Sequence, residues 1–568
     1  MTGNSKITTS IIQRRLEAIV EEMGETMLRT AYSQILNSSR DFSTAIFDHH
    51  ARLVAQADHI PLHIGALPFA VSTIISYFPD SIFPGDIFLL NDPYFGGNHL
   101  PDLTVFIPVF GPDPSRPMFW TVNRAHQSDI GGATHGSYNP DATEIWQEGI
   151  RIPPIKLAER GVVREDLRRM IATNVRHARD FEGDLSAMIG SAQAGERRLL
   201  KLVEDFGVET IEASIEAILD SANLQARTCV ASWKDGVFDA STYLDDDGHG
   251  AESIRLTAVV TKSGETLHVD LSACSDQVRG FVNSSYANTV SAVHMALAFL
   301  IDPEIPKNEG TFRLVSVTTK EGTVAHPRAP APVTLSTNHP SQEIAEAVIR
   351  ALAGSCPDRV IAGWGRRFRI AIKGINPRDG GQFIWHMFHA RPGAGGSARA
   401  DGWSGVGELS SAGGLKFGSV EIAEARFPMF FGRHEFRPDS AGDGTHRGGL
   451  GSVLDIRMET TNASVANTAG DGVRHGGLGI LGGEDGLPHR YTIRAADGTL
   501  TELRTKQTGI ALHPGDWLLI ESAGGGGYGP PRDRPEADRE RDRLSQFADG
   551  HPDCPPPQTE FADVPHRN

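Results

Sequence analysis

Apolar residues in the first part of the chain recur at the spacings of helices and strands. Over residues 8–33 they return every three or four positions, which predicts a helix with one buried face. Residues 42–56 alternate around a turn at 48–50 and predict a β-hairpin, and residues 65–77 predict a second helix. Three strand candidates follow, Asp86–Leu90, Leu103–Phe110 and Met118–Asn123.

The pattern changes twice further along the chain. Residues 163–224 are rich in Leu, Ala, Arg and Glu and predict a helical stretch. Four glycines are predicted to interrupt it, Gly183, Gly190, Gly195 and Gly207. From about residue 226 onward, apolar runs bounded by turn residues predict strands, with two helices between them. The predicted strands are Val237–Leu244, Ile254–Thr261 and Thr266–Ser272, and the predicted helices are 286–301 and 341–353.

Together these segments predict a mixed α+β fold. An N-terminal α/β region is followed by a helical middle and a β-rich C-terminal half. We expect residues 1–225 to form the first unit and residues 226–529 the second. From residue 530 onward proline and charged residues dominate, which predicts a disordered tail over 530–568.

Composition and charge exclude several classes of protein. The chain has 568 residues with 54 basic and 71 acidic side chains, and the formal charge of −17 disfavours a nucleic-acid footprint. It contains no apolar run of about 18 residues, so we expect no membrane span, and its polar start predicts no secretory signal. The four cysteines form no C-x-x-C pair, which disfavours a disulfide framework or a thiolate zinc site and suits the cytoplasm.

The register of one predicted hairpin brings polar residues together. Residues 111–117 are turn formers between two apolar runs, which predicts an antiparallel pair. If Phe110 pairs with Met118, Asp102 lies opposite His126. The Cα atoms of directly opposed residues are ~4.5–5.5 Å apart, so both side chains can reach one point.

His99 precedes Asp102 by three residues and lies in a glycine-rich loop that can bend it toward the same point. Two imidazoles and one carboxylate suit Zn²⁺, Mn²⁺ or Fe²⁺, and such an ion can activate water or polarise a carbonyl. Asp41 and Asp92 are the candidates for a further ligand. The alternative interpretation is that these are ordinary loop histidines and turn-capping carboxylates.

Several longer motifs occur around this cluster and far from it. They lie at 40–43, 52–56, 59–65, 91–102, 125–132, 437–440, 447–451 and 524–529. Together they resemble the signatures of the hydantoinase B/5-oxoprolinase family, and the resemblance extends over roughly residues 8–530.

The resemblance implies one subunit of an ATP-dependent hydrolase of cyclic amides, or a related subunit of a ketone carboxylase. It implies a hydantoinase A-type partner with an actin-like ATPase fold, which binds ATP-Mg and phosphorylates the substrate carbonyl oxygen, in a heterotetramer or larger assembly. The metal site of the family falls on Asp41, His99, Asp102 and His126. Asp92 and Arg124 are then candidates for supporting residues or alternative ligands.

The glycine-rich stretches do not predict a nucleotide site in this chain. The sequence lacks G-x-x-x-x-G-K-[ST], and Gly442–Gly448 leads into a predicted strand rather than a helix. Gly524–Gly527 is followed by neither lysine nor helix. We expect tight turns at both, with a share in a channel wall as the functional alternative. The N-terminus of the helix at 341–353 could also hold an anion.

Three functions remain open from the sequence. In the first, water attacks the phosphorylated amide carbon, and Asp129, His63 and His135 are candidates for proton transfer. The second is carboxylation of a phosphorylated ketone enol on the same scaffold. The third is a non-catalytic, metal-binding scaffold subunit. Four aromatic residues either line a substrate pocket or fill the core, Tyr94, Phe95, Tyr138 and Trp146.

Overall fold

A computed structural model describes residues 6–57, 59–411, 414–416 and 418–544. The mixed α+β fold is confirmed. The N-terminal elements are α1 (Lys6–Thr30), α2 (Gln34–Asn37), β1 (Phe42–Asp48), β2 (Leu53–Gln56), α3 (Pro61–Tyr77), β3 (Ile87–Leu90), β4 (Asp102–Phe110), β5 (Pro117–His126), β6 (Ile155–Glu159), β7 (Val162–Val163), α4 (Glu165–Thr173), α5 (Ala178–Phe206) and α6 (Val208–Ala231).

The C-terminal part is rich in strands, as predicted. Its elements are β8 (Gly236–Asp246), β9 (Glu252–Ser263), β10 (Thr266–Asp270), α7 (Tyr286–Leu300), α8 (Glu309–Phe312), β11 (Val315–Thr318), α9 (Ser341–Ala351), β12 (Phe368–Ile375), β13 (Gln382–His386), α10 (Val420–Arg426), β14 (Met429–Phe436), β15 (Ser452–Met458), β16 (Ser464–Gly470), β17 (Arg490–Arg494), β18 (Leu500–Glu502), β19 (Lys506–Leu512), β20 (Trp517–Glu521) and α11 (Glu536–Leu544).

The described strands form four sheets. Their strand orders are β2-β1-β5-β4-β3-β6-β7, β11-β10-β9-β8, β13-β12-β16-β19 and β14-β15-β20-β17-β18. In the seven-stranded sheet, side chains alternate between two apolar layers. Phe47 and Trp120 belong to the layer that includes residues of α3, whereas Ile46 and Phe119 belong to the layer that includes residues of α1, α5 and α6. Because helices cover both faces, β1, β4 and β5 are buried almost throughout.

Three of the four glycines predicted to interrupt the helical stretch lie inside α5 instead. At Gly195 a Cβ atom would be 2.4 Å from Met23 Sδ, so its missing side chain lets α1 approach α5 closely. The missing side chain of Gly183 likewise leaves space for the ring of Tyr32. Gly207, with φ +77°, does separate α5 from α6.

The glycine-rich stretches of the C-terminal half pack backbone against backbone, which differs from the predicted tight turns. Gly525 donates its N–H to the Gly449 carbonyl (2.9 Å), and Gly526 donates to the Gly363 carbonyl (2.8 Å). A Cβ atom on Gly525 would lie 1.9 Å from the carbonyl oxygen of Ala394. Side chains are therefore excluded by the close approach of distant segments rather than by turn geometry.

The predicted division at 225/226 falls inside α6, which continues to Ala231. One apolar core runs from Met27 to Ile480 and so includes residues on both sides of that division.

The first part of the predicted disordered tail differs from the prediction. Residues 536–544 form α11, and buried Arg534 pairs with Asp401 (2.8 Å) and Asp542 (2.9 Å). The rest of that tail, 545–568, lies outside the described residues.

Among the described helices, none has the length and apolarity needed to cross a bilayer.

Candidate metal centre

The hairpin of β4 and β5 has the register on which the sequence argument depended. Asp102 lies opposite His126, at the open end of the pair. The pairing used to set that register is itself irregular, because Phe110 faces Pro117 rather than Met118. The irregularity lies at the turn end, beyond the Val109–Phe119 pair, so it does not shift the polar end.

Three side chains converge on one point beyond this end of the hairpin. His99 Nε2 lies 2.9 Å from Asp102 Oδ1, and His126 Nδ1 lies 3.2 Å from each of these two atoms. All three residues are buried. In a tetrahedral site with metal–ligand bonds of ~2.0–2.1 Å, ligand atoms are about 3.3 Å apart. The triangle of ligand atoms therefore has nearly the size that one divalent ion requires.

Neighbouring groups fix the orientation of the first imidazole. His99 Nδ1 lies 2.5 Å from the carbonyl oxygen of Thr334, which leaves Nε2 for the cluster. Glu148 holds that segment, because its carboxylate accepts the N–H groups of Val333 (3.0 Å) and Thr334 (2.8 Å). Metal-ligating histidines usually donate their second N–H to such an acceptor.

Asp102 is supported from the opposite side. Asn98 Nδ2 lies 3.4 Å from Asp102 Oδ2, and Asn98 Oδ1 accepts from Arg124 (2.8 Å). Arg124 also donates to Thr104 Oγ1 (2.9 Å) and to the His63 carbonyl (3.1 Å). Arg124 is thus linked to Asp102 through Asn98, and its supporting role stays a prediction.

Asp41 and His63 lie beside the cluster and line a polar cavity. His63 Nε2 lies 3.3 Å from Asp102 Oδ2 and 3.8 Å from Asp41 Oδ1. The Asp41 carbonyl also accepts the N–H of His126 (3.1 Å). Asp41, His63 and His126 all line the cavity, so the proposed fourth ligand borders the same space as His126.

Burial and mutual charge shift the titration of these groups. Burial opposes ionisation of Asp102, but the His63 and His99 imidazoles outweigh it and hold the pKa of Asp102 well below its usual range. Burial, followed by the Asp102 charge, raises the pKa of Asp41 to about 7. Burial lowers the pKa of His63 to about 4 and that of His126 to about 3. Both imidazoles are neutral near pH 7, the form that binds a metal.

Three other predicted site residues are engaged elsewhere. Asp129 accepts from the backbone of Gly131 (3.0 Å) and pairs with Arg176 (3.1 Å). His135 Nε2 faces the Ala371 carbonyl at 3.3 Å. Asp92 accepts from Tyr94 N and Arg151 Nε, both at 2.9 Å. Neither Asp129 nor His135 lines the cavity, so the geometry favours His63 among the candidates for proton transfer.

Of the four aromatic residues considered, Tyr138 lines the cavity, whereas Trp146 is 59% exposed. Another part of the lining comes from residues that sequence reasoning missed, Arg367, Arg369, His386 and Glu408. Asn338, which precedes the helix considered as an anion site, also lines the cavity. One signal was available. Phe368, Ile370 and Ile372 alternate with Arg367 and Arg369, which is the pattern of a strand with one apolar face and one face directed at a polar site.

The donor set fits a divalent metal. Two imidazoles and one or two carboxylates without thiolate are typical of Zn²⁺, Mn²⁺ or Fe²⁺ sites. Within the described ranges, His99, Asp102 and His126 offer ligand atoms that all lie within 4.8 Å of one another. Asp41 lies outside that group, and its Oδ1 is 3.8 Å from His63 Nε2.

Comparison with known proteins agrees with the motifs. The profile of hydantoinase B/oxoprolinase matches residues 5–531. The caprolactamase subunit beta of Pseudomonas jessenii is 35% identical over 538 residues, which cover 94% of this chain and 92% of that one. The 5-oxoprolinase 1 of Arabidopsis thaliana is 28% identical, but the match covers 92% of this chain and only 42% of that protein.

Two solved structures share the fold. The crystal structure of ATP-dependent caprolactamase from Pseudomonas jessenii superposes with a TM-score of 0.90 at 33% identity, covering 96% of this chain and 95% of that chain. The nucleotide-free structure of acetone carboxylase gives 0.86 at 19% identity, covering 96% and 78%, which is a likeness of fold alone. The chain is thus a member of the hydantoinase B/oxoprolinase family.

Proposed function

We propose that this chain is the metal-containing subunit of an ATP-dependent cyclic amide hydrolase, which opens a hydantoin, 5-oxoproline or lactam ring. The observation that supports it is the buried His99, Asp102 and His126 cluster beside a polar cavity, in a family whose members include a caprolactamase subunit and a 5-oxoprolinase. Asp41 completes the proposed ligand set for one Zn, Mn or Fe ion.

An amide bond resists attack by water because resonance strengthens it and its nitrogen is a poor leaving group. Phosphorylation of the carbonyl oxygen by a partner would remove that resonance and provide a good leaving group. A divalent ion held by the four ligands would supply Lewis-acid activation of a water molecule.

The residues of the chain would then orient the substrate and move the proton. His63, neutral near pH 7 and 3.8 Å from Asp41, is placed to accept the proton of the attacking water. Asn338 donates to the Tyr138 hydroxyl (2.9 Å), and this fixes a phenol on the cavity wall against which a small ring can be positioned.

The partner proposed is a hydantoinase A-type ATPase subunit that carries ATP-Mg. Two observations support it: the relative from Pseudomonas is named as a beta subunit, and the Arabidopsis 5-oxoprolinase is more than twice as long as the part this chain matches. We propose a cytoplasmic heterotetramer or larger assembly that acts on a small cyclic amide and on no nucleic acid.

Carboxylation of a ketone is the second candidate, since the fold is shared with acetone carboxylase. It would use the same cavity and require bicarbonate instead of water as the second reactant. A role as a non-catalytic scaffold would instead leave activity independent of the metal.

The decisive experiment is co-expression with a hydantoinase A-type subunit, followed by ring-opening assays on hydantoins, 5-oxoproline and lactams, with and without ATP and bicarbonate. We expect ring opening that requires ATP but not bicarbonate, and about one divalent ion per chain. His99→Ala should lose the ion and the activity, while His268→Ala, at an exposed histidine, should keep both. Ring opening without ATP, or full activity after complete chelation, would refute the proposal.

A further inference from the structure

Arg369 is a buried cation on the wall of the cavity. Its Nη2 donates to the carbonyl of Gly136 (2.6 Å) and lies 2.5 Å from His386 Nδ1, and the guanidinium lies 3.7 Å from the centre of the Tyr138 ring. In the part of the chain that the structure describes, no carboxylate forms an ion pair with Arg369, and its Nη1 has no hydrogen-bond partner. The positive charge is therefore buried without a matching negative one.

The arginines next to it are paired differently. Arg366 contacts Glu343 (3.0 Å) and Glu346 (2.7 Å), and Arg367 contacts Glu408 (2.5 Å). A buried cation costs several kcal/mol of desolvation unless an anion compensates it. Two of three arginines within four consecutive residues have that compensation inside the protein, whereas Arg369 faces a cavity instead.

Neighbouring residues hold the guanidinium group of Arg369 in place. Gly136 has φ +71°, and a Cβ atom there would lie 3.1 Å from His386 and 3.2 Å from Arg369 Nη2. Glycine thus lets the backbone carbonyl reach the guanidinium without a clash. His386 and the Tyr138 ring fix two further sides, which leaves one edge of the planar guanidinium for a ligand.

Two carboxylates also line the cavity, but Glu408 is paired with Arg367 (2.5 Å) and burial raises the pKa of Asp41 to about 7. The other polar groups on the wall suit an anion. The Asn338 amide and the hydroxyl groups of Ser410 and Ser411 line it together with Arg369. Helix α9 begins three residues after Asn338, and the N-terminus of a helix carries a partial positive charge. Burial lowers the pKa of Arg369 to about 9, the direction expected for a cation that lacks a counter-ion.

We propose that Arg369 forms a subsite for the phosphoryl group of a phosphate monoester dianion, in the same cavity that His126 of the metal-site cluster lines. This subsite deepens the proposed function and rests on it, because the ligand would be the phosphorylated form of the cyclic amide. An arginine fork binds phosphate oxygens in a bidentate manner, and a dry site strengthens that contact. Recognition would thus select phosphorylated over unmodified substrate.

The test is binding of methyl phosphate to the full-length, metal-containing chain, with the affinity measured by calorimetry. Arg369→Gln should weaken binding by about tenfold or more, and Arg369→Lys by less, since it keeps the charge but loses the fork. The control is Arg474→Gln, at an exposed arginine that pairs with Glu252, and it should bind within about twofold of the wild type. Metal content and thermal unfolding, measured on each variant, establish that Arg369→Gln is folded and loaded.

Methyl phosphate binding by Arg369→Gln within about twofold of the wild type would overturn the inference, as would failure of the wild type to bind at about 10 mM. This assay needs neither the partner nor turnover, so it separates the subsite from the proposed function. In the reconstituted complex, Arg369→Gln should still consume ATP but open fewer rings per ATP. An unchanged ratio would likewise overturn the inference, whereas ring opening without ATP would instead refute the proposed function.

Discussion

Replacing Glu148 by glutamine should remove a pH-dependent part of the stability of this chain. Glu148 is buried, and burial raises its pKa from the ordinary value of 4.5 to about 7, although the N–H groups of Val333 and Thr334 act in the opposite direction. A raised pKa means that the folded state favours the protonated form. The contribution to stability is therefore complete below pH 4.5 and is lost as the pH rises through about 7.

The size of the effect follows from the shift. One pKa unit corresponds to about 1.4 kcal/mol, so a shift from 4.5 to about 7 corresponds to roughly 3 kcal/mol in the free energy of unfolding. Glutamine does not titrate in this range. The stability of the wild type relative to Glu148→Gln should accordingly fall by roughly 3 kcal/mol between pH ~4 and ~8.

The assay is urea unfolding of both proteins at several pH values, after chelation so that metal affinity does not enter. Glu159→Gln, at an exposed glutamate, is the matched control for the substitution itself. A difference between wild type and Glu148→Gln that stays constant over the whole pH range would refute the reasoning. With the metal present, Glu148→Gln should also weaken metal binding by about 10- to 100-fold, because Thr334 orients His99.

Two further outcomes follow from packing and hydrogen bonding. Gly525→Ala should lower the free energy of unfolding by about 3 kcal/mol or more, because its Cβ would lie 1.9 Å from the Ala394 carbonyl oxygen; Gly190→Ala, where nothing lies within 4 Å, should raise it by up to about 1 kcal/mol. Thermal unfolding measures both, and equal effects would contradict the steric argument. Asp129→Asn should cost about 2 kcal/mol of stability but leave the pH dependence of turnover unchanged, since Asp129 binds Arg176 and backbone groups away from the cavity. A lost limb of the pH–rate profile would instead assign proton transfer to Asp129.

Local periodicity predicted the part of the site that lies on one hairpin. Turn residues and apolar runs were enough to place Asp102 opposite His126, since a register extends along a strand pair from its turn. The loop that carries His99 was predicted to bend toward the same point, and it does. Choosing Asp41 rather than Asp92 as the proposed fourth ligand required the family resemblance, because no local pattern relates the start of β1 to this hairpin.

The part of the cavity lined by residues of the C-terminal half could not be predicted in this way. Arg369 and His386 follow Asp102 by more than 260 residues, and only the assembled sheets bring them together. The glycine stretches were misinterpreted for a related reason. Some glycines are needed because the backbone has a positive φ, and others because a distant backbone segment packs where a side chain would be. A sequence does not distinguish the two cases, and Gly525, beside the Ala394 carbonyl, belongs to the second.

The order in which a ribosome makes this chain gives the backbone packing at 524–527 a consequence for biosynthesis. Gly525, Gly526 and Gly527 donate to the carbonyls of Gly449, Gly363 and Glu484, all of which are synthesised earlier. Until these three glycines emerge from the exit tunnel, the nascent polypeptide holds those carbonyls without their final donors. Chaperones can therefore bind this region of the protein during the interval between synthesis of the acceptor segments and synthesis of residues 525–527.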